Sequence, residues 1–210
     1  MSVLRRWSLG LFVIGSIASD VGGPVRGAAP AAGGGGGAIV DELAAPNDAW
    51  RTAKGEWTHV DGAWRGAEIP AEKHGAVVRR NITFSDVVIE FDFRLDGAKG
   101  ISFSINDPKG HNSRLTIRPT GFVVTKDDHD HAGPDERAVL GTVDAPFEPG
   151  RWYHARLEQR GPKFTVQVGD HAAGGQHPDI AQEKSNIGLT VSGKHAAFRR
   201  LKVSPQPTVP

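Results

Sequence analysis

Hydrophobic and polar residues alternate along residues 86–106, in two runs that a short polar segment separates. Every second residue from Val87 to Leu95 is apolar, and the same holds from Ile101 to Ile105. Side chains of a β-strand point alternately to opposite faces, so each run predicts a strand with one apolar and one polar face. Residues 96–100 contain glycine, and we predict that they form the turn of a β-hairpin. The apolar face must pack against a second layer.

Short segments of the same kind continue from residue 55 to residue 203, and sequences rich in glycine and proline separate them. Asp61-Gly62 is a strong signal for a hairpin turn. No stretch predicts a helix of three turns, which disfavours folds built from parallel strands and helices. About ten or eleven short strands at this spacing predict an all-β protein, either a two-sheet antiparallel sandwich or a barrel.

The N-terminal residues have the pattern of an export signal. Arg5 and Arg6 precede an apolar stretch at residues 7–18, which is too short for a comfortable membrane span. The alternative is an uncleaved membrane anchor, which Asp20 and the glycines after it disfavour. We therefore predict a signal peptide at 1–29, a glycine-rich linker at 30–38, a folded domain at 39–204 and a disordered tail at 205–210. The expected location is secreted or periplasmic, with no membrane span after cleavage of the signal.

Composition excludes several classes of chemistry. The chain has no cysteine, so disulfides, thiolate catalysis and cysteine-ligated metal sites are absent. The formal net charge is +1 at pH 7, and such a near-neutral chain offers no strong field for nucleic acid, which we do not expect as a partner.

The order of the strand motifs resembles a known family. Trp50, GEWTHVDGAW, DVVIEFDFRL, PGRWYHARLEQRG, FTVQV, NIGLTV and AAFRRLKV follow the order found in the 3-keto-disaccharide hydrolase domain family, over residues 50–203. The resemblance implies a concanavalin A-like jelly-roll sandwich, distantly related to family-16 glycoside hydrolases, and a carbohydrate or glycoside as partner. Ala98-Lys99-Gly100-Ile101 stands where members typically carry Asn-Ser-Gly-Ile. The Glu-x-Gln-Ile-x-Asp strand is also replaced, by residues 113–118.

The strand Ile89–Arg94 is similar to the catalytic strand of family-16 glycosidases, where Glu, Asp and Glu alternate. Here Glu90 and Asp92 hold the first two positions but Arg94 holds the third. A retaining mechanism needs two carboxyl groups about 5–5.5 Å apart, and this strand does not supply the acid. Glu90 and Asp92 are therefore weak catalytic candidates, and the alternative is a network of charges on a wet sheet face.

The polar strand faces supply candidates for binding a sugar. Hydroxyl, amide and guanidinium groups are good partners for sugar hydroxyls, and an aromatic ring stacks on a sugar ring or packs at the rim of a sandwich. The predicted substrate-binding residues are Arg94, Ser102, Ser104, Asn106, Arg114, Arg118 and Trp152.

The segment after residue 126 is dense in potential metal ligands. Asp128, His129, Asp130 and His131 follow one another; histidine with carboxylates suits zinc, and carboxylates alone suit calcium. The alternative is a solvated, charged hairpin tip.

Together these patterns predict a secreted carbohydrate-active domain that acts on or binds a glycoside, and they leave open whether it is an enzyme. The alternative is a non-catalytic glycan-binding or adhesion module, and a third possibility is an envelope structural protein without a ligand.

Overall fold

Thirteen β-strands and two short 3-10 helices make up the computed structural model, which describes residues 37–130 and 132–207. The strands are β1 (Ile39–Asp41), β2 (Trp50–Lys54), β3 (Glu56–Val60), β4 (Ala63–Ala67), β5 (Ala76–Phe84), β6 (Asp86–Asp107), β7 (Gly110–Arg118), β8 (Gly121–Lys126), β9 (Ala138–Asp144), β10 (Trp152–Arg160), β11 (Lys163–Val168), β12 (His171–Gln176) and β13 (Lys184–Gln206). The 3-10 helices span Pro70–Glu72 and Pro178–Ala181. The predicted signal peptide, most of the predicted linker and His131 lie outside the described residues.

The strands form two packed antiparallel layers that share their two longest strands. The first layer has the order β12-β11-β10-β6-β13, with β4, β3 and β1 beyond β13. The second has the order β9-β8-β7-β6-β13-β5-β2. The first half of β6 pairs with β10 and its second half with β7, so β6 and β13 run through both layers. The predicted all-β, two-sheet antiparallel jelly-roll sandwich is confirmed.

The predicted hairpin at residues 96–100 is wrong. Asp86–Asp107 is one continuous strand that bends and passes from the first layer to the second. The rings of Phe91 and Phe103 stack with centroids 5.0 Å apart, so the two halves of β6 face each other through side chains rather than through hydrogen bonds. The reason is β13, which pairs with β6 from Asp86 to Asn106 and occupies that edge of both halves. Gly97, with a φ of +92°, allows the bend.

The core lies between the layers and contains the apolar positions of the alternating runs. Val87, Ile89, Phe91 and Phe93 of the first layer, and Phe103 of the second, are each at most 1 % exposed. The predicted inward direction of these side chains is therefore correct, although the connection between the two runs is different.

The last strand ends later than the sequence predicts. Pro205 and Gln206 belong to β13 and pair with Val87 and Asp86 of β6, and Gln206 Oε1 accepts a hydrogen bond from Arg160 Nη2 at 3.1 Å. Because it pairs with the first residues of β6, β13 continues two residues into the segment predicted as a disordered tail. Within the described part of the chain, no helix has the length and apolar character needed to cross a bilayer.

Candidate functional site

The predicted site residues are divided between the two outer faces of the sandwich, because β6 changes layer between them. Glu90, Asp92 and Arg94 lie on the first layer, beside Trp152 of β10. The predicted serine, asparagine and arginine positions of β6 and β7 (Ser102, Ser104, Asn106, Arg114 and Arg118) belong to the second layer. A single sugar therefore cannot contact both sets, and the two faces are described in turn.

Asp92 is the centre of an ion-pair network on the first-layer face. Its side chain is buried, with 2 % exposed, and His154 Nδ1 lies 3.0 Å from its Oδ1. Arg199 Nε and Arg200 Nε donate to its Oδ2 at 3.1 and 2.7 Å. Burial acts to raise the pKa of Asp92, but the hydrogen bonds from His154, Arg200 and Arg199 outweigh it and lower the pKa below its ordinary value. Asp92 is therefore an ionised, fully bonded anchor between three strands.

The polar side chains beside Asp92 also contact other side chains of the protein. Glu90 Oε1 lies 3.8 Å from His154 Nε2. The Arg94 and Arg199 guanidinium carbons lie 4.9 and 4.1 Å from the ring centroid of Trp152, which is a cation–π arrangement. This geometry matches the charge network that the sequence offers as the alternative to catalysis by Glu90 and Asp92.

The second-layer face carries a groove with a volume of about 670 Å³. We call it the second-layer groove. Its polar lining comes from β6, β7, β8, β13 and the loop after β8, and consists of Lys99, Ser102, Arg114, Thr116, Arg118, Thr125, Asp127, Asp128, Arg137 and Ser192. Alternation along β7 explains the floor: Leu115 and Ile117 are buried in the core, so the residues between them point out of the sheet.

Hydrogen bonds hold the floor of the groove in place. Arg114 Nη2 lies 2.7 Å from Asp127 Oδ2, and Thr125 Oγ1 donates to Asp127 Oδ1 at 2.7 Å. The hydroxyl oxygens of Ser102 and Thr116 are 3.3 Å apart. Arg114 Nε is buried, and among the described residues it has no hydrogen-bond partner. The groove thus combines fixed hydroxyls with guanidinium donors.

Only part of the predicted binding set lies in this groove. Ser102, Arg114 and Arg118 line it, whereas Ser104 and Asn106 are buried and bonded within the sheet. Ser104 Oγ donates to the Gly188 carbonyl at 3.4 Å, and Asn106 Nδ2 donates to a side-chain oxygen of β13 at 2.6 Å.

Several groove residues were missing from the predicted set. Thr116 and Thr125 could have been found, because their positions in alternating strands place them on the face of Arg114. Lys99 and Ser192 come from the bends of β6 and β13, and Arg137 comes from the far end of a loop. No local pattern in the sequence identifies those three positions.

His129 ties the loop after β8 to the sandwich. Its Nε2 lies 2.8 Å from Asp107 Oδ2, and its Nδ1 lies 2.7 Å from Asp135 Oδ2. Burial acts to lower the pKa of His129, but the carboxylates of Asp107 and Asp135 outweigh it and raise the pKa. Lys126, which is 1 % exposed, adds ion pairs to Asp135 at 3.1 Å and to Asp179 at 3.2 Å.

Among the described residues of the loop, three carboxylates form the group that could hold a metal ion. One oxygen each from Asp128, Asp130 and Asp135 can lie within 4.8 Å of the others. Asp135 already accepts hydrogen bonds from His129 and Lys126. A metal ion at His129 has to displace a carboxylate from one of the ring nitrogens. His131, the fourth predicted ligand, lies outside the described residues.

Comparison with known proteins adds a family and a set of similar folds. The family model described as the 3-keto-alpha-glucoside-1,2-lyase-like domain matches residues 44–204. No curated protein matches the chain.

Solved structures with a similar fold include carbohydrate-binding module CBM66 from Bacillus subtilis, with a TM-score of 0.60, 17% identity, and coverage of 73% of this chain and 94% of that one. The β-glucanase of Bacillus licheniformis has a TM-score of 0.57 and 12% identity, covering 82% and 99%. The Crh5 transglycosylase in complex with NAG has a TM-score of 0.64 and 8% identity, covering 82% and 86%. At these identities the likeness concerns the fold alone.

Proposed function

The chain belongs to the 3-keto-alpha-glucoside-1,2-lyase-like domain family, and on that premise we propose that it is a carbohydrate-binding domain that holds a saccharide in the second-layer groove. The observation that carries this proposal is the lining of the groove, in which hydroxyls and guanidinium groups are fixed by hydrogen bonds to neighbouring strands. The volume of about 670 Å³ falls within the range of about 300–1,000 Å³ that is typical of small-molecule sites.

The structure of the first-layer face favours saccharide binding over a hydrolysis reaction in which Glu90 and Asp92 are the catalytic carboxylates. Asp92 is buried and bonded to His154, Arg199 and Arg200, so it is not placed to attack a sugar. A retaining glycosidase needs two carboxyl groups that both reach the substrate, and Asp92, the predicted partner of Glu90, is 2 % exposed. This supports the non-catalytic glycan-binding module over a hydrolase that uses Glu90 and Asp92.

A second candidate function is elimination from a 3-keto-glycoside, which the family description favours. In such a reaction a base removes the proton on C2, the C1–O bond breaks, and the leaving oxygen departs with that electron pair and takes up a proton. The C3 carbonyl stabilises the negative charge that develops on C2. Asp128 lines the groove together with Arg114 and Arg118, so it is the candidate base, and the guanidinium groups are candidates for stabilising an enolate oxygen.

The proposed place of action is outside the cytoplasm. The support is the pattern of Arg5, Arg6 and the apolar residues 7–18, which is typical of export signals.

The test of the binding proposal is a titration of the purified protein with a panel of neutral and charged oligosaccharides, in parallel with Arg118→Ala and Arg94→Ala. Arg118 lines the groove and Arg94 lies on the opposite face, so the two variants remove the same side chain from different faces. We expect Arg118→Ala to weaken binding at least tenfold and Arg94→Ala to leave it unchanged. The reverse result, or no binding to any member of the panel, contradicts the proposal.

The test of the second candidate is turnover of a 3-keto-glycoside by the wild-type protein and by Asp128→Asn. Elimination with Asp128 as base predicts that the variant binds saccharide but loses turnover. Absence of turnover by the wild-type protein eliminates this candidate and leaves the binding proposal standing.

A further inference from the structure

The second-layer groove has an excess of positive charge. Four cationic side chains line it, Lys99, Arg114, Arg118 and Arg137, against the carboxylates of Asp127 and Asp128. Arg114 is paired with Asp127 at 2.7 Å. Within residues 37–130 and 132–207, Lys99, Arg118 and Arg137 form no ion pair. The chain as a whole has a net charge of only +1, so this excess is local to the groove.

The groove also lacks the usual surface for a neutral sugar. Ligand sites are commonly lined by hydrophobic and aromatic side chains, and a neutral sugar ring packs on an aromatic face. No aromatic residue of the described chain lines this groove. Trp152 lies on the opposite face and contacts Arg94 and Arg199. Affinity in the groove must therefore come from hydrogen bonds and charge.

From these two features we infer that the second-layer groove binds an acidic saccharide, one that carries carboxylate or sulfate groups. This inference rests on the proposed function and names the class of its ligand. Guanidinium groups bind carboxylate and sulfate oxygens through paired, charge-assisted hydrogen bonds, which a neutral hydroxyl does not offer. Lys99, Arg118 and Arg137 form no ion pair within residues 37–130 and 132–207, and an anionic ligand group supplies a partner of opposite charge.

The hydroxyls of the floor make a saccharide the better occupant than a nucleic acid strand. Ser102, Thr116 and Ser192 place hydroxyl groups beside the cations, and these pair with sugar hydroxyls in either direction. Proteins that bind single strands use aromatic side chains on which the bases stack, and the groove has none among its described residues. The cations are also confined to one groove, and the net charge of +1 provides no wider basic field of the kind that is typical of nucleic-acid-binding proteins.

The test compares oligosaccharides that share a backbone and differ in charge. Oligogalacturonate is compared with its methyl ester, and sulfated dextran oligosaccharides with unmodified ones, by calorimetric titration at low and at high salt. We expect at least tenfold tighter binding of one or both acidic forms, with an affinity that falls as salt increases. The two arms distinguish carboxylate from sulfate recognition.

Two variants locate the effect. Arg118→Ala removes a groove cation and should abolish most of the preference for the acidic form. Arg156→Ala removes the same charge from the first-layer face, where Arg156 pairs with Glu158 at 2.9 Å, and should leave the preference unchanged. Equal losses in both variants point to non-specific attraction and overturn the inference.

The remaining outcomes separate this inference from the proposed function. Equal affinity for the acidic and neutral forms overturns the inference and leaves the binding function standing. Binding of neither form, together with no binding across the wider panel, overturns both. Inorganic polyphosphate and a single-stranded oligonucleotide serve as further ligands, and affinity for either that equals the affinity for the acidic saccharide also overturns the inference.

Discussion

Asp92→Asn tests whether the first-layer face is structural. The substitution keeps the size of the side chain but removes the charge that holds His154, Arg199 and Arg200. Loss of one partner of a buried ion pair costs about 3–5 kcal/mol. The Arg199 and Arg200 side chains are 35% and 60% exposed, so water solvates them in the variant and reduces the loss. We expect a destabilisation of about 2 kcal/mol, or about 4–8 °C in melting temperature for a domain of this size.

The lowered pKa of Asp92 also predicts how the stability difference between wild type and Asp92→Asn depends on pH. Because the pKa of Asp92 in the folded protein lies below its ordinary value of 3.8, its contribution to stability is fully present above pH 3.8. That contribution is lost as the pH falls through the pKa in the folded state. The difference in unfolding free energy between wild type and Asp92→Asn should therefore be constant at neutral pH and shrink only below about pH 4.

Urea denaturation across this pH range measures the difference directly. Glu90→Gln is the matched control, because Glu90 is a carboxylate on the same strand. Its contact with His154 is longer, at 3.8 Å, and its side chain is partly exposed to solvent. It should change stability by less than about 0.5 kcal/mol. A variant Asp92→Asn that is as stable as wild type, but has lost saccharide binding, refutes the structural role and returns Asp92 to the functional site.

Three further variants probe the loop, the core and a buried lysine. His129→Gln weakens the hydrogen bonds to Asp107 and Asp135. Since the pKa of His129 is raised above 6.5, the stability of the wild-type protein should fall as the pH rises through that pKa. Plots of unfolding free energy against pH that run parallel for wild type and variant contradict this prediction. Phe103→Ala removes the ring stacked on Phe91 and should cost about 3–5 kcal/mol in urea denaturation; a loss below about 1 kcal/mol contradicts the bent-strand core. Burial lowers the pKa of Lys184 to about 8, so the stability of the wild-type protein should rise between pH 8 and the ordinary lysine pKa of 10.5. Lys184→Met should lack that rise, and an unchanged rise in the variant contradicts the lowered pKa of Lys184.

Local alternation was sufficient to predict which side chains enter the core. Phe91, Phe93 and Phe103 were assigned correctly because a strand has only two faces, and one of them must be apolar when it packs on another layer. The passage of β6 between layers could not be predicted in the same way. Residues 96–100 have the composition of a hairpin turn, and what makes them a bend instead is pairing with β13, about a hundred residues further along the chain.

For the candidate site, too, the sequence predicts the direction of side chains within a strand but not the contacts between distant strands. Alternation on a single strand predicts that Arg114 and Arg118 point outward, and both line the second-layer groove. The burial of Asp92 could not be predicted in this way, because it depends on Arg199 and Arg200, which are separated from Asp92 by 107 and 108 residues. The division of the polar residues into two faces has the same origin, since it follows from a bend that only the long-range pairing specifies.

Mapping of backbone amide shifts by NMR during titration with an acidic oligosaccharide tests the central claim most directly. If the second-layer groove is the binding site, the shifts concentrate on β7 (Gly110–Arg118), β8 (Gly121–Lys126) and the loop after β8. Shifts that concentrate on β10 (Trp152–Arg160) and the first half of β6, around Asp92 and Trp152, contradict the account and place the site on the first layer.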